Sequence, residues 1–278
     1  MRAAAVQLTS TPDRDRNLAT ADRLTREAAA AGAELVVLPE KWPVLGAPED
    51  IVAGAEPIDG PALQWAAATA RELGIDLVAG SIAERVTGAD RGSNTSVHFG
   101  PDGEEKAVYR KVHMFDVEVG GTTYRESENE APGEELVVTE TAQGVELGMS
   151  ICYDLRFPEL YRILALRGAE LLTVPAAFTS ATGRDHWEVL LRARAIEDQA
   201  FVLAPNQVGT APPHFDSWGH SAIVDPWGRL LAVAGAGECF VAADLDLAER
   251  QRIRGSLPAL AHRRPAAYEW PTIVEARV

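Results

Sequence analysis

Apolar positions in this chain alternate between short unbroken runs and longer stretches where they return every three or four residues, the pattern of strands alternating with amphipathic helices. Residues 2–8 (RAAAVQL) predict a buried strand, and residues 10–15 supply turn and capping groups for a helix with Leu18, Ala21, Leu24 and Ala28 on one face. Gly32 ends that helix. Residues 34–40 (ELVVLPE) read as a strand covered on both faces and stopped by Pro39, which leaves Glu40 at its carboxyl end. Pro61 opens a second helix, Gly74 closes it, and residues 75–83 (IDLVAGSIA) form the next apolar strand.

The pattern then turns to hairpins. Residues 94–99 and 105–111 flank a Gly-Pro-Asp-Gly turn, with Lys111 at the far end of the second strand. Residues 113–133 show no periodicity and are long for a connection, as functional loops are. A second hairpin, 135–141 with 145–151, delivers Cys152 to a helix start, and residues 158–167 continue as a helix closed by Gly168. A strand at 170–176, a helix at 184–198, a strand at 201–205, a hairpin at 221–233, a strand at 239–244 and a short helix at 247–253 complete the pattern. This mixture predicts an α/β fold of mixed sheets with helices outside. No composition break marks a linker, so residues 1–278 are expected to form a single domain, with the weakly periodic tail 257–278 packing at a subunit interface.

A formal charge of −15 argues against nucleic acid and anionic membranes as partners. Two cysteines, Cys152 and Cys239, make no disulfide framework, and neither a signal segment nor a long apolar run is legible, so a reducing cytoplasm is the expected compartment. The phosphate-cradling glycine signatures are missing. The six histidines lack ligand spacing, and neither a metal nor another cofactor is expected.

Cys152 therefore draws attention. At a strand-to-helix corner the following N–H groups point outward, and a helix start favours a thiolate; the competing reading is an inert core thiol. A nucleophilic thiol needs a base, and the oxyanion it creates needs positive charge or N–H donors. Glu40 and Lys111, at two other strand ends, offer a carboxylate and an ammonium if those ends converge. Singly, each reads equally well as a solvated charge.

The segments VLPE at 37–40, YRKVHMFD at 109–116 and GMSICYDLRFPE at 148–159 resemble, in that order and spacing, the three signature segments of the nitrilase superfamily of carbon–nitrogen hydrolases. The similarity extends from the first strand to residues 262–265. It implies a four-layer α-β-β-α sandwich that assembles as a homodimer or higher homo-oligomer. It also implies a Glu-Lys-Cys triad on Glu40, Lys111 and Cys152, with Glu126 of the Glu-Ser-Glu segment positioning Lys111 and substrate. Glu40 would be the general base, Lys111 and the Tyr153 backbone N–H the oxyanion donors, and an acyl thioester on Cys152 the intermediate. Lys111 should lower the thiol pKa while Glu40 opposes it.

Residues 178–197, 218–221, 224–228 and 262–265 resemble the branch containing deaminated glutathione amidase and ω-amidase. That resemblance implies hydrolysis of a small carboxylate-bearing amide. Nitrilase and N-carbamoyl amino acid amidohydrolase chemistry are the alternatives within the superfamily, and a non-catalytic dimeric scaffold is the alternative outside enzymology. Phe178, Thr179 and Trp187 are expected as pocket walls. Arg156, Arg192 and Arg194 are candidates for the substrate carboxylate, although Arg156 is expected to brace the corner through Glu159. Gly120-Gly121 departs from the Pro-Gly common in this branch and gives a looser loop before Glu126.

Overall fold

A computed structural model describes residues 1–212 and 215–268; the end of the tail from residue 269, expected at a subunit interface, lies outside the described residues. The chain begins with β1 (Arg2–Gln7), α1 (Arg14–Ala30), β2 (Leu35–Val37), α2 (Pro48–Ala53), α3 (Pro61–Leu73), β3 (Asp76–Val78), β4 (Ile82–Glu84), β5 (Ser93–Phe99) and β6 (Glu105–Arg110). It continues with β7 (Asp116–Val119), β8 (Thr122–Arg125), β9 (Val138–Glu140), β10 (Glu146–Met149), α4 (Pro158–Leu166), β11 (Leu171–Thr173), α5 (Ser180–Asp198) and β12 (Phe201–Ala204). The last elements are β13 (Val208–Ala211), β14 (Phe215–Trp218), β15 (Ala222–Val224), β16 (Leu230–Val233), β17 (Cys239–Asp244) and α6 (Leu247–Ser256).

Two mixed sheets lie face to face. One runs β17-β1-β2-β3-β5-β4 with β6 also on β5; the other runs β16-β15-β12-β11-β10-β9. Strand alternation builds the layers: Ala3, Ala5, Leu35 and Val37 point to the other sheet, while Ala4, Val6, Val36 and Leu38 point to the layer of α1 and α3. On the far side Leu160 and Leu164 of α4 and Trp187 and Leu191 of α5 cover the second sheet. The result is the expected α-β-β-α sandwich.

Topology places the site. β1, β2 and β3 are parallel, β5 is antiparallel to β3, and β6 is antiparallel to β5, so β6 again runs with β2. The carboxyl ends of β2 and β6 therefore point the same way, carrying Glu40 and Lys111 to one edge. In the second sheet β10, β11 and β12 are parallel, and β10 ends just before Cys152. Crevices at the carboxyl ends of parallel strands are where α/β folds collect chemistry.

Three expectations need correction. Residues 75–83 are not one strand, because the chain breaks at Gly80, whose φ of 53° brings it against Pro39 so closely that a Cβ would sit 2.1 Å from the Pro39 carbonyl oxygen. Only glycine fits there, and the break splits the run into β3 and β4. Second, the aperiodic segment 113–133 contains the β7–β8 hairpin, turned by Gly120 and Gly121 at φ 61° and 78°. Third, the corner at Cys152 is a 3-10 turn, Cys152–Arg156, that precedes α4.

Candidate active site

Glu40, Lys41 and Trp42 follow β2 in three different directions. Trp42 is fully buried in the outer core, donates Nε1–H to the Ala79 carbonyl at 2.8 Å, and anchors the segment. Lys41 adopts a φ of 50°, a left-handed conformation unusual for a side chain of its size. That twist lets Glu40 turn between the sheets. Its Oε2 accepts from the Ala177 N–H at 2.8 Å and its Oε1 from Asn94 Nδ2 at 2.8 Å and Lys111 Nζ at 3.0 Å.

Lys111 is 1% exposed, and its ammonium is shared between two carboxylates. Besides Glu40 it donates to Glu126 Oε1 at 3.0 Å and Oε2 at 2.8 Å. Glu126 also accepts from the Phe115 N–H at 2.8 Å, so several donors define its position. Burial works against both charges, yet Glu126 and Glu40 hold the Lys111 ammonium well above its usual range, and Lys111 with Lys41 hold Glu126 well below its own.

Cys152 closes the arrangement with a φ of 45°, a strained corner that lines the cavity although the residue is buried, its N–H tied to the Pro175 carbonyl at 2.9 Å. Burial, then the Glu40 charge, push the thiol well above its usual pKa, with Lys111 opposing. The expectation that a helix start favours a thiolate is opposed here by burial, the largest cause of the upward shift. The first bond of the turn is Asp154 N–H to the Ile151 carbonyl at 3.0 Å, so the Tyr153 N–H just before it has no acceptor within the turn.

One residue that sequence reasoning passed over joins these parts. Asp154 is fully buried; its Oδ2 accepts from the Ile151 N–H at 2.8 Å and from Tyr109 Oη at 2.6 Å, and its Oδ1 takes the His113 N–H at 3.1 Å and Nδ1 at 2.8 Å. The Cys152 corner is thereby bolted to the strand that carries Lys111. An acidic side chain three residues after Ile151, able to accept from the N–H of that residue, is the signal that could have exposed it.

The four charged and nucleophilic groups open on a cavity of about 420 Å³. Phe178 and Thr179 line it, together with Tyr153, Arg125, Arg156, Lys41 and Glu130. Trp187 does not. It is buried behind the wall, donates Nε1–H to the His220 carbonyl at 2.8 Å and packs on Phe178 with centroids 5.0 Å apart. Its place on the inward face of α5 explains this, since the residues there cover the sheet.

The arginines separate equally clearly. Arg194 is buried, binding the Leu155 carbonyl and Glu197, and Arg192 reaches the Gly228 carbonyl and Glu188; neither lines the cavity. Arg156 does, and the expected brace to Glu159 is replaced by other contacts. Among the described residues no ion pair joins the two. The guanidinium lies 5.1 Å from the Phe178 ring centroid and 5.9 Å from that of Tyr153, with Nη1 donating to His186 Nδ1 at 3.2 Å. No group of histidine, cysteine and carboxylate side chains among the described residues has the geometry of a metal site.

The family model for carbon-nitrogen hydrolases matches residues 2–255. The chain belongs to the carbon–nitrogen hydrolase family. It is an enzyme of that chemistry, hydrolysing a carbon–nitrogen bond outside peptides. The chain is 42% identical over 264 residues to the deaminated glutathione amidase of Synechocystis, covering 94% of this chain and 97% of the relative. It is 38% identical over 268 residues to an omega-amidase of Xenopus tropicalis, with 96% of each covered. A crystal structure from Saccharomyces cerevisiae, of a member of branch 10 of the nitrilase superfamily, superposes with a TM-score of 0.85 at 33% identity, over 93% of this chain and 94% of that one. No helix among the described residues of this carbon–nitrogen hydrolase is long and apolar enough to cross a membrane.

Proposed function

We propose that this carbon–nitrogen hydrolase cleaves a small carboxylate-bearing amide through an acyl thioester on Cys152. The reading is carried by the convergence of the strained Cys152, Glu40 and Lys111 at one end of the cavity. Glu40 takes the thiol proton as Sγ attacks the amide carbon. The oxyanion is held by Lys111 Nζ and the Tyr153 N–H, each such donor contributing roughly 3 kcal/mol. Glu40 returns the proton to the departing nitrogen, so ammonia or an amine leaves and the thioester remains. A water then gives its proton to Glu40 and attacks the thioester, and collapse releases the acid and restores the thiol. Glu126 touches the reacting atoms only through Lys111 and positions it. A reducing cytoplasm suits a mechanism that needs a free thiol.

Arg156 is our choice for the substrate carboxylate. It faces the cavity at the far end of the turn that starts with Cys152, its flat face is held by Phe178 and Tyr153, and it has no acidic partner among the described residues. A charge-assisted pair of this kind contributes about 1.5–3 kcal/mol, so Arg156→Met should raise KM for carboxylated amides about 10- to 100-fold. Turnover of an uncharged amide should hardly change. The test is ammonia release from deaminated glutathione, α-ketoglutaramate, a neutral amide, a nitrile and an N-carbamoyl amino acid, using wild type and variant. Preference for the nitrile or the carbamoyl compound would overturn the substrate class.

We also propose a homodimer formed through α4 and α5. Ile163, Leu166, Val189 and Ile196 are exposed apolar side chains on these helices, and the turn carrying exposed Trp227 packs on Ile196. Sedimentation equilibrium should give twice the chain mass for the wild type and a shift toward monomer for a Val189→Glu/Ile196→Glu variant; a monomeric wild type would exclude the assembly.

A further inference from the structure

The cavity holds a second buried ion pair that the proposed mechanism leaves unused. Lys41 Nζ lies 2.9 Å from Glu130 Oε1 and 3.3 Å from Glu126 Oε1, and all three side chains are at most one-tenth exposed. Glu126 Oε1 is the same oxygen that accepts from Lys111. Five groups thus alternate in sign: Glu130, Lys41, Glu126, Lys111 and Glu40, with the Cys152 thiol at the end. Each lysine bridges two carboxylates, and Glu126 in the middle is shared by both cations.

From this geometry we infer that Lys41 and Glu130 are positioning residues which set, through Glu126, how firmly Lys111 is held against Glu40. The inference rests on the role proposed for Glu40 as base. When Glu130 is ionised it occupies Lys41, and Glu126 is left to hold Lys111. Lys111 then leans away from Glu40, whose lone pairs are free for the thiol proton. When Glu130 is protonated, Lys41 turns to Glu126, Lys111 falls back on Glu40, and the base is weaker. Apart from the ion pair with Lys41, neither oxygen of Glu130 has a hydrogen-bond partner among the described residues. Burial pushes Glu130 up to about 7, with the facing Glu126 adding to the effect and Lys41 opposing it.

The charged groups around Glu130 are Lys41 from the segment after β2 and Glu126 from its own loop. Lys111 from the end of β6 and Glu40 stand one step beyond, in the field of Lys41. Arg91, before β5, reaches the same loop on its outer side, at the Ser127 carbonyl. Deprotonation of Glu130 raises activity in this arrangement, so the wild type should show an acidic limb in kcat/KM that rises near neutral pH.

The test is a cycle of Glu130→Gln, Lys41→Met and the double variant, with kcat, KM and Cys152 alkylation by iodoacetamide followed against pH. Glu130→Gln fixes the neutral form and should lower kcat several-fold above neutral pH, abolish the limb and leave KM within twofold. In the Lys41→Met background the transmitter is gone, and adding Glu130→Gln should change nothing further. A purely structural pair would make the double variant the poorest of the three with the limb unmoved, and that result would overturn the inference. Alkylation needs no substrate. If no amide is turned over but the neutral inflection in alkylation vanishes in Glu130→Gln, the amide reading fails and the positioning role stands. If amides are hydrolysed and both profiles ignore Glu130, the positioning role fails alone.

Discussion

Cys152→Ala is expected to abolish turnover, lowering kcat by about 10⁴-fold or more, because residues acting as one nucleophilic unit lose nearly everything when the attacking atom is removed. The fold should survive: alanine fills most of the same volume, and the corner is held by the Pro175 carbonyl and the Asp154 carboxylate rather than by sulfur. The left-handed φ of 45° strains alanine and cysteine alike. Acid-quenched wild type, taken during turnover of a slow amide, should carry the mass of the acyl group on the peptide containing Cys152. Hydroxylamine should remove it, as a thioester requires. An alanine variant retaining a tenth of wild-type activity would mean that the carbonyl is attacked by something else, and the arrangement of Glu40 and Lys111 would need another explanation.

The placement of these residues was legible because the site is assembled from strand ends, while their convergence was legible only through the resemblance of the three signature segments. A proline after an apolar run places Glu40 at a carboxyl end, a Pro-Asp turn sets the hairpin that ends at Lys111, and the run through Ile151 ends at Cys152. Such signals are local, and they survive in one dimension. What was missed depends on packing between distant segments. The direction of Lys41 follows from its positive φ, which no propensity announces, and Glu130 lies in a loop whose charges look solvated until the chain folds. The β7–β8 and β13–β14 hairpins are short ribbons outside both sheets, with too few buried residues to produce an alternating pattern. The branch resemblance of the segment around Trp187 makes it a pocket-wall candidate, but an aromatic near a strand end is more often core. The helical period puts it with Leu191 and Ala195 on the covered face of α5.

Glu40→Gln should separate two properties that usually fall together. Amide hydrolysis should drop by about 10³-fold, the loss expected when a positioned general base is replaced by a group of the same shape that cannot take a proton. The thiol, by contrast, should ionise more readily. Cys152 is held above its usual pKa by burial first and by the Glu40 charge second, while Lys111 acts in the opposite direction. Glutamine removes the second cause and leaves the third. The pH midpoint for alkylation must therefore move down, and each unit of movement corresponds to about 1.4 kcal/mol less repulsion of the thiolate. Lys111, with only an amide oxygen left to accept from it at residue 40, remains bound to both oxygens of Glu126. A Gln variant that alkylates at lower pH than the wild type, yet hydrolyses almost nothing, would locate the essential contribution of Glu40 in moving protons rather than in shaping the cavity. If the midpoint rose instead, Glu40 would have been stabilising the thiolate indirectly through Lys111, and its essential contribution would lie in holding that ammonium rather than in moving protons.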